Sequence, residues 1–140
     1  EGYGGGGAIY LKESEKYIPL LRRREPIGLV ADQDAGNEGI FVDFMGKKAS
    51  THAGPAVLAY LGKARLAVAF CIYQGKGKYF FYARTLYRFG GKSDFATSRE
   101  AAEKLTQLWV SEMEKEIRKY PEQYFWVHRR WKTRPPEERQ

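Results

Sequence analysis

Between Thr97 and Pro121 the chain carries Ala101, Leu105, Leu108, Trp109, Met113, Ile117 and Tyr120 at spacings of three and four. That repeat sets apolar side chains along one side of an α-helix. Thr97 followed by Glu100 is a capping box, Lys115, Arg118 and Lys119 suit the negative end of the helix dipole, and Pro121 stops the helix. A helix this long and apolar on one side must lie against other elements, so the rest of the chain has to supply a surface for it.

The remaining pattern supplies strands and two shorter helices. Arg65 to Tyr73 and Tyr79 to Arg88 are aromatic, β-rich runs separated by Gln74-Gly75-Lys76-Gly77-Lys78, which predicts a hairpin. Arg84 and Arg88 interrupt the second run and mark a sheet edge or an exposed face. Cys71 is the single cysteine and lies inside the apolar run Leu66 to Tyr73, so it reads as a buried structural thiol. Ile27 to Ala31 suits a buried strand that runs into Asp32-Gln33-Asp34, and Ile40 to Phe44 follows as a second strand or an extended loop. Ser14 to Glu25 has helical character with Ser14 as a possible cap and Pro26 as its stop. Gly54-Pro55 opens another helix, closed by Gly62. The order describes a compact α/β unit or a piece of one, with no internal repeat or second domain boundary. Residues 1–140 read as one domain or the C-terminal part of one, with a glycine-rich lead over 1–13 and a basic aromatic tail over 121–140.

Twenty-four Lys and Arg against 17 Asp and Glu give a net charge of +7, which favours anionic partners: nucleic acid, anionic lipid or acidic protein. The longest apolar run has eight residues, well short of the roughly 20 that a membrane-spanning helix needs. The chain shows no signal peptide and begins at Glu1 rather than methionine, so an excised portion of a longer protein is one expectation.

Several groups of residues invite chemistry. Asp32, Gln33 and Asp34 follow the first strand, and ligands of open α/β sheets bind beyond the carboxyl ends of strands; the same residues also serve as turn caps. The backbone N–H groups at the Gly54-Pro55 helix start, with Lys47, Lys48 and Thr51 near in sequence, suit either an anion or ordinary capping. Gly2 to Gly7 lacks the preceding strand that a phosphate loop requires. Two widely spaced His and one Cys do not make a zinc site, and Ser50 near His52 does not define a triad.

The tail is the richest segment. From Tyr124 to Arg134 it holds four aromatics, Tyr124, Phe125, Trp126 and Trp131, and four cations, Arg129, Arg130, Lys132 and Arg134. Such a mixture fits a phosphate-bearing, partly apolar partner; alternatively, Tyr124, Phe125 and Trp126 anchor the tail and the cations form a solvated rim.

The residue order Tyr120-Pro121-Glu122-Gln123-Tyr124-Phe125-Trp126-Val127-His128-Arg129-Arg130-Trp131-Lys132-Thr133-Arg134-Pro135 closely resembles the C-terminal signature of the bacterial lipid A acyltransferases. Asp32-Gln33-Asp34, Gly39-Ile40-Phe41-Val42, Phe44-Met45-Gly46, Ala49, Thr51 and Gly54-Pro55-Ala56 are similar to further segments of that family, so the likeness runs from Ile27 to Pro135. It implies the α/β fold of the wider glycerolipid acyltransferases, a mixed sheet flanked by helices, of which this chain would be the C-terminal portion. It also implies transfer of a fatty acyl chain to a hydroxyl of a lipid A precursor. The donor would be an acyl carrier protein thioester, with no cofactor, at the cytoplasmic face of the bacterial inner membrane. Asp32, Gln33, Asp34 and Thr51 would then line the substrate cleft, and Arg129, Arg130, Lys132 and Arg134 would meet phosphate and sugar-acid groups.

This chain departs from the family in two respects. Asp43 and Ala69 stand where the family usually has proline. More important, the catalytic motif, a His with a carboxylate five positions later, is absent: Val57 follows His52 at that spacing and Thr133 follows His128. No catalytic residue is therefore assigned, and membrane contact is assigned only to a complete protein. Two alternatives stand: a non-catalytic relative that binds anionic lipid or protein, and a module that stacks single-stranded nucleic acid on the tail aromatics. The acidic Asp32-Gln33-Asp34 turn and the lack of a nucleic-acid motif speak against the second, so no nucleic-acid partner is expected.

Overall fold

The computed structural model describes residues 16–90 and 95–138. Ser14 and the glycine-rich lead lie outside them. Helix α1 (Tyr17–Arg22) and helix α2 (Gly54–Gly62) pack together, and α3 (Ser98–Lys119) is the 22-residue spine of the fold. Strands β1 (Ile40–Phe44) and β2 (Lys47–Thr51) form one antiparallel pair, and β3 (Leu66–Tyr73) and β4 (Tyr79–Tyr87) form another. The α/β class holds, with the strands of the described residues divided between two hairpins.

At about 1.5 Å per residue α3 is roughly 33 Å long, enough to span both hairpins. It packs most extensively on α2 and β1 and also touches β3 and β4. Its capping box is present: the Glu100 N–H donates to Thr97 Oγ1 at 3.1 Å, and the Glu100 carboxylate accepts from the Ala96 N–H at 2.8 Å. Leu105, Trp109, Val110, Met113 and Ile117 are buried against Val42, Phe44, Ala56 and Leu66 in one core. Leu108 and Tyr120, placed on the same stripe by spacing, sit at its margin and are exposed.

β1 and β2 meet through Met45-Gly46, with Phe44 opposite Lys47 in register. Both turn residues have positive φ, 51° and 78°, the geometry of a type I′ hairpin. Glu114 on α3 holds the turn by accepting from the Met45 N–H at 2.9 Å. The Gln107 side chain closes the outer edge of β1 at Asp43, accepting from its N–H at 2.8 Å and donating to its carbonyl at 3.0 Å.

Two expectations are corrected and one is refined. Ile27 to Ala31 forms no strand and pairs with none among the described residues; just beyond it, Asp34 makes an isolated bridge to Thr51. Cys71 is exposed, since one face of the β3–β4 hairpin is uncovered. α2 ends at Gly62 as expected, and the left-handed φ of 49° that turns the chain falls on the next residue, Lys63. Gly62 is buried because a Cβ there would lie 2.9 Å from Leu21, so its bareness lets α1 approach.

Gly39 is tighter still. A Cβ would meet Ser50 Oγ at 2.1 Å, Ala35 Cβ at 2.6 Å and the Thr51 backbone nitrogen at 2.9 Å. Gly39→Ala is expected to destabilise the fold by about 1–3 kcal/mol through overpacking. Urea denaturation measures this, and an unchanged midpoint would show that the strand can step aside.

Candidate functional site

The Asp32-Gln33-Asp34 turn and the C-terminal tail, nearly a hundred residues apart in sequence, are bound together. Asp34 Oδ1 accepts from the Gly36 N–H at 2.9 Å and from Thr133 Oγ1 at 2.7 Å, while Oδ2 accepts from the Thr133 N–H at 3.1 Å. The Asp34 N–H donates to His128 Nε2 at 2.8 Å, and Tyr124 donates its hydroxyl to the Asp32 carbonyl at 3.3 Å. Each bond ties a residue of the turn to one of the tail, except the Gly36 bond, which shapes the turn itself.

Arg130 completes this latch from inside. It is 1% exposed, and its two terminal nitrogens donate to the Ser50 carbonyl and to Thr51 Oγ1, both at 2.5 Å. Its guanidinium also lies 5.3 Å from the centre of the Phe44 ring. Burial works to lower its affinity for the proton, opposed by Tyr124, Asp34 and Asp32; an arginine nonetheless remains charged in a protein. A buried cation held this closely is spent on the fold. Arg130 therefore does not join the tail's outward cations, and Thr51, fully buried with its hydroxyl engaged by Arg130 and the Ala49 carbonyl, does not face a cleft.

The other tail residues divide by exposure. Arg129 and Lys132 are exposed on either side of buried Arg130, and Arg134 is exposed and paired with Glu138 at 3.4 Å. Gln33 is exposed, and Asp32 is half-buried at one end of an apolar groove. The aromatic anchors are Tyr124, tilted against Phe44, and Trp131, stacked on Phe44 at 5.4 Å. Phe125 and Trp126, expected to anchor the tail, are 58% and 48% exposed; Trp126 Nε1 donates to the Pro121 carbonyl instead.

The anion reading of Lys47, Lys48 and Thr51 at the start of α2 dissolves in this geometry. Lys47 and Lys48 begin β2, so at about 3.3 Å per residue they lie roughly 10 to 13 Å from its end at Thr51, away from the start of α2. Lys48 pairs with Asp43 across the hairpin at 3.0 Å. Ser50 is fully buried and donates to the Gly36 carbonyl, which leaves it no part in a nucleophilic group with exposed His52. His128 spends Nε2 as an acceptor for the Asp34 N–H, so that nitrogen is not free to take a substrate proton. Among the described residues no three potential ligands gather at a metal site. What spacing in sequence could not show was the use of Thr133, Ser50 and Tyr124; only the folded latch reveals it.

Burial raises the Asp34 pKa, but the bonds from Thr133 and Gly36 and the charge of Arg130 outweigh it, so its pKa falls below the usual carboxylate value of 3.8. A depressed folded-state pKa stabilises the fold above the unfolded-state value, and that contribution is lost as pH falls through the folded one. Asp34→Asn turns an amide N–H₂ toward one of the donors and is expected to cost about 1–3 kcal/mol at neutral pH. Urea titrations from about pH 6 down to about pH 3 should show the gap between parent and variant narrowing on the acid side. A pH-independent gap would remove the charge of Asp34 from the account.

The family model described as bacterial lipid A biosynthesis acyltransferase matches residues 6–133. The chain is 31% identical over 120 residues to the lipid A biosynthesis palmitoleoyltransferase of Escherichia coli (strain K12), covering 84% of this chain and 37% of that protein. It has the same identity and coverage to a lipid A biosynthesis acyltransferase of Shigella flexneri. The chain thus spans little more than a third of the length of these relatives. The turn and the tail residues that latch onto it, Tyr124 to Thr133, fall within the matched residues, and the chain belongs to the bacterial lipid A biosynthesis acyltransferase family.

Proposed function

We propose that this chain is part of an enzyme that moves a fatty acyl group from acyl carrier protein to a hydroxyl of a lipid A precursor at the cytoplasmic face of the inner membrane. The family match over residues 6–133 carries the reading. The sequence contains no His with a carboxylate five positions later, so the base that takes the hydroxyl proton comes from another segment of the family's domain. This chain's own contribution is positional: the latch fixes the tail against the turn and leaves Arg129 and Lys132 exposed to meet anionic groups of the acceptor.

The test uses the chain alone and a hybrid in which it follows the portion of the E. coli palmitoleoyltransferase that lies outside the aligned segment. With an acyl carrier protein thioester and a lipid A precursor in vesicles, the hybrid is expected to transfer acyl groups and the chain alone is not. Replacing Arg129 and Lys132 together by Gln should weaken vesicle binding and flatten its salt dependence, because exposed charges are screened over about 8–10 Å at physiological salt. Turnover by the chain alone would refute the reading. Equal binding of phosphorylated and dephosphorylated lipid would remove the phosphate role of Arg129 and Lys132. Binding without turnover in a folded hybrid would favour a non-catalytic lipid-binding relative, and tighter binding to a single-stranded oligonucleotide than to vesicles would replace both.

A further inference from the structure

From Phe44 to Ser93 the chain carries nine Lys and Arg and no Asp or Glu, although 17 acidic residues lie elsewhere in it. The β3–β4 hairpin falls wholly inside that stretch. Midway along it, Arg84 reaches α3 and pairs with Glu112 at 2.6 Å. In the turn at its free end, Lys76 and Lys78 flank Gly77, exposed and without an ion pair among the described residues. The charge of that end is therefore all of one sign.

The same end is apolar. Tyr79 is 66% exposed, Phe80 51% and Phe81 68%. Phe80 lies opposite Ile72, on the face whose Leu66 and Phe70 pack on the core, so its exposure shows that the core does not reach this end. Tyr73 and Tyr79 pair across the strands with ring centres 5.2 Å apart. The Gln123 side chain accepts from the Tyr73 N–H at 2.8 Å and donates to its carbonyl at 3.1 Å, which brings the start of the tail alongside. Phe125, Trp126 and Val127, 58%, 48% and 79% exposed, follow Gln123 within at most about 14 Å of chain and extend the apolar surface.

We propose that the free end of the β3–β4 hairpin, with Phe125 to Val127 beside it, docks on an anionic lipid bilayer. The rings would sit at the boundary between headgroups and acyl chains, and Lys76 and Lys78 on the lipid phosphates. Two demands meet at this end: its rings gain by leaving water, and its lysines gain from anions. Water meets only the second and an apolar core only the first, whereas the headgroup layer of an anionic bilayer meets both. Tyr79 and Trp126, each apolar with one polar edge, are the side chains enriched at that depth. A single-stranded nucleic acid needs open ring faces for its bases to stack on. Here Tyr73 and Tyr79 lean on each other, Phe80 leans on Tyr82 at 5.3 Å and Trp126 on Tyr124 at 4.9 Å. The surface is separate from Arg129 and Lys132, and acyl transfer plays no part in the inference.

Sedimentation of the chain with vesicles of phosphatidylethanolamine and phosphatidylglycerol, free of lipid A precursor, tests it. Lys76→Gln with Lys78→Gln should weaken binding about 30-fold at low salt, about fivefold for each cation near an anionic surface. The difference should shrink at about 1 M salt, where charges are screened over about 3 Å. Tyr79→Thr with Phe81→Thr keeps strand-forming residues at two exposed positions and should weaken binding at least about tenfold at both salt concentrations. One readout needs no substitution and decides the matter should a variant fail to fold. Trp126 is the most exposed of the three tryptophans, so lipids brominated in their acyl chains should quench the fluorescence of the bound chain. The proposal is overturned if phosphatidylcholine vesicles bind as tightly as anionic ones, if either pair of substitutions leaves binding unchanged, or if brominated chains leave the fluorescence unquenched. It also falls if a single-stranded oligonucleotide binds more tightly than the vesicles and is released by Tyr79→Thr with Phe81→Thr. Trypsin cleavage after Lys78 in the chain alone but not in the detergent-dispersed hybrid would overturn it too, since the rest of the domain would then cover the hairpin end. Docking by a chain whose hybrid shows no turnover keeps this surface and defeats the proposed function; turnover by a hybrid whose chain ignores anionic vesicles does the reverse.

Discussion

Arg130→Met is expected to lower stability by about 3–5 kcal/mol, the range for removing one partner from a buried charged network. Methionine fills much of the space but removes the donor to buried Thr51 Oγ1 and leaves the Ser50 carbonyl only the longer bond from the Ala35 N–H at 3.3 Å. Arg130→Lys should recover only part of the loss, because one compact ammonium cannot reproduce the planar fork that reaches both acceptors. Urea unfolding of the three proteins measures the series. A loss below about 1 kcal/mol for the methionine variant would mean that the tail is held by its aromatic rings rather than by the latch.

Phe44→Ala should be of similar size, about 3–5 kcal/mol, for a different reason. Phe44 is fully buried beneath the latch, stacked on Trp131, tilted against Tyr124 and close to the Arg130 guanidinium. Its removal opens a cavity where the core of α3 and the tail meet. Because Phe44 and Arg130 touch, Phe44→Ala combined with Arg130→Met should depart from additivity by at least about 0.5 kcal/mol, which a double-mutant cycle in urea reads directly. Simple additivity would show that the two residues stabilise the tail independently.

Periodic and turn-bounded elements were legible in the sequence. The long helix, its capping box, the β3–β4 hairpin and the helix that opens at Gly54-Pro55 follow from local chemistry, and all are present. β2 was missed because Lys47-Lys48-Ala49-Ser50-Thr51 lacks apolar alternation; its partner across the Met45-Gly46 turn sets it, not its own composition. Segment 27–31 erred the other way, since an apolar run specifies a strand only where another backbone is available to pair with it. In the tail, composition marked the four cations but could not rank them. Arg130 differs from Arg129 only in the side of the chain it faces, and that is decided by Phe44, Ser50 and Thr51, which lie about eighty residues upstream. Leaving out the catalytic His–carboxylate pair needed no structure, because the spacing is absent from the chain.

The latch also imposes an order on biosynthesis. Its bonds join positions 79, 80 and 99 residues apart, so Arg130 and Thr133 are made long after the groups they bind. At a synthesis rate of about 5–20 residues per second, the Asp34 turn and the Ser50 carbonyl must wait several seconds on the ribosome for their partners. Late in that interval β1, β2 and α3 are complete, yet Phe44 has neither Trp131 nor Tyr124 above it. A stop codon ahead of Tyr124 would make that interval permanent, leaving an apolar surface open to quality-control proteases.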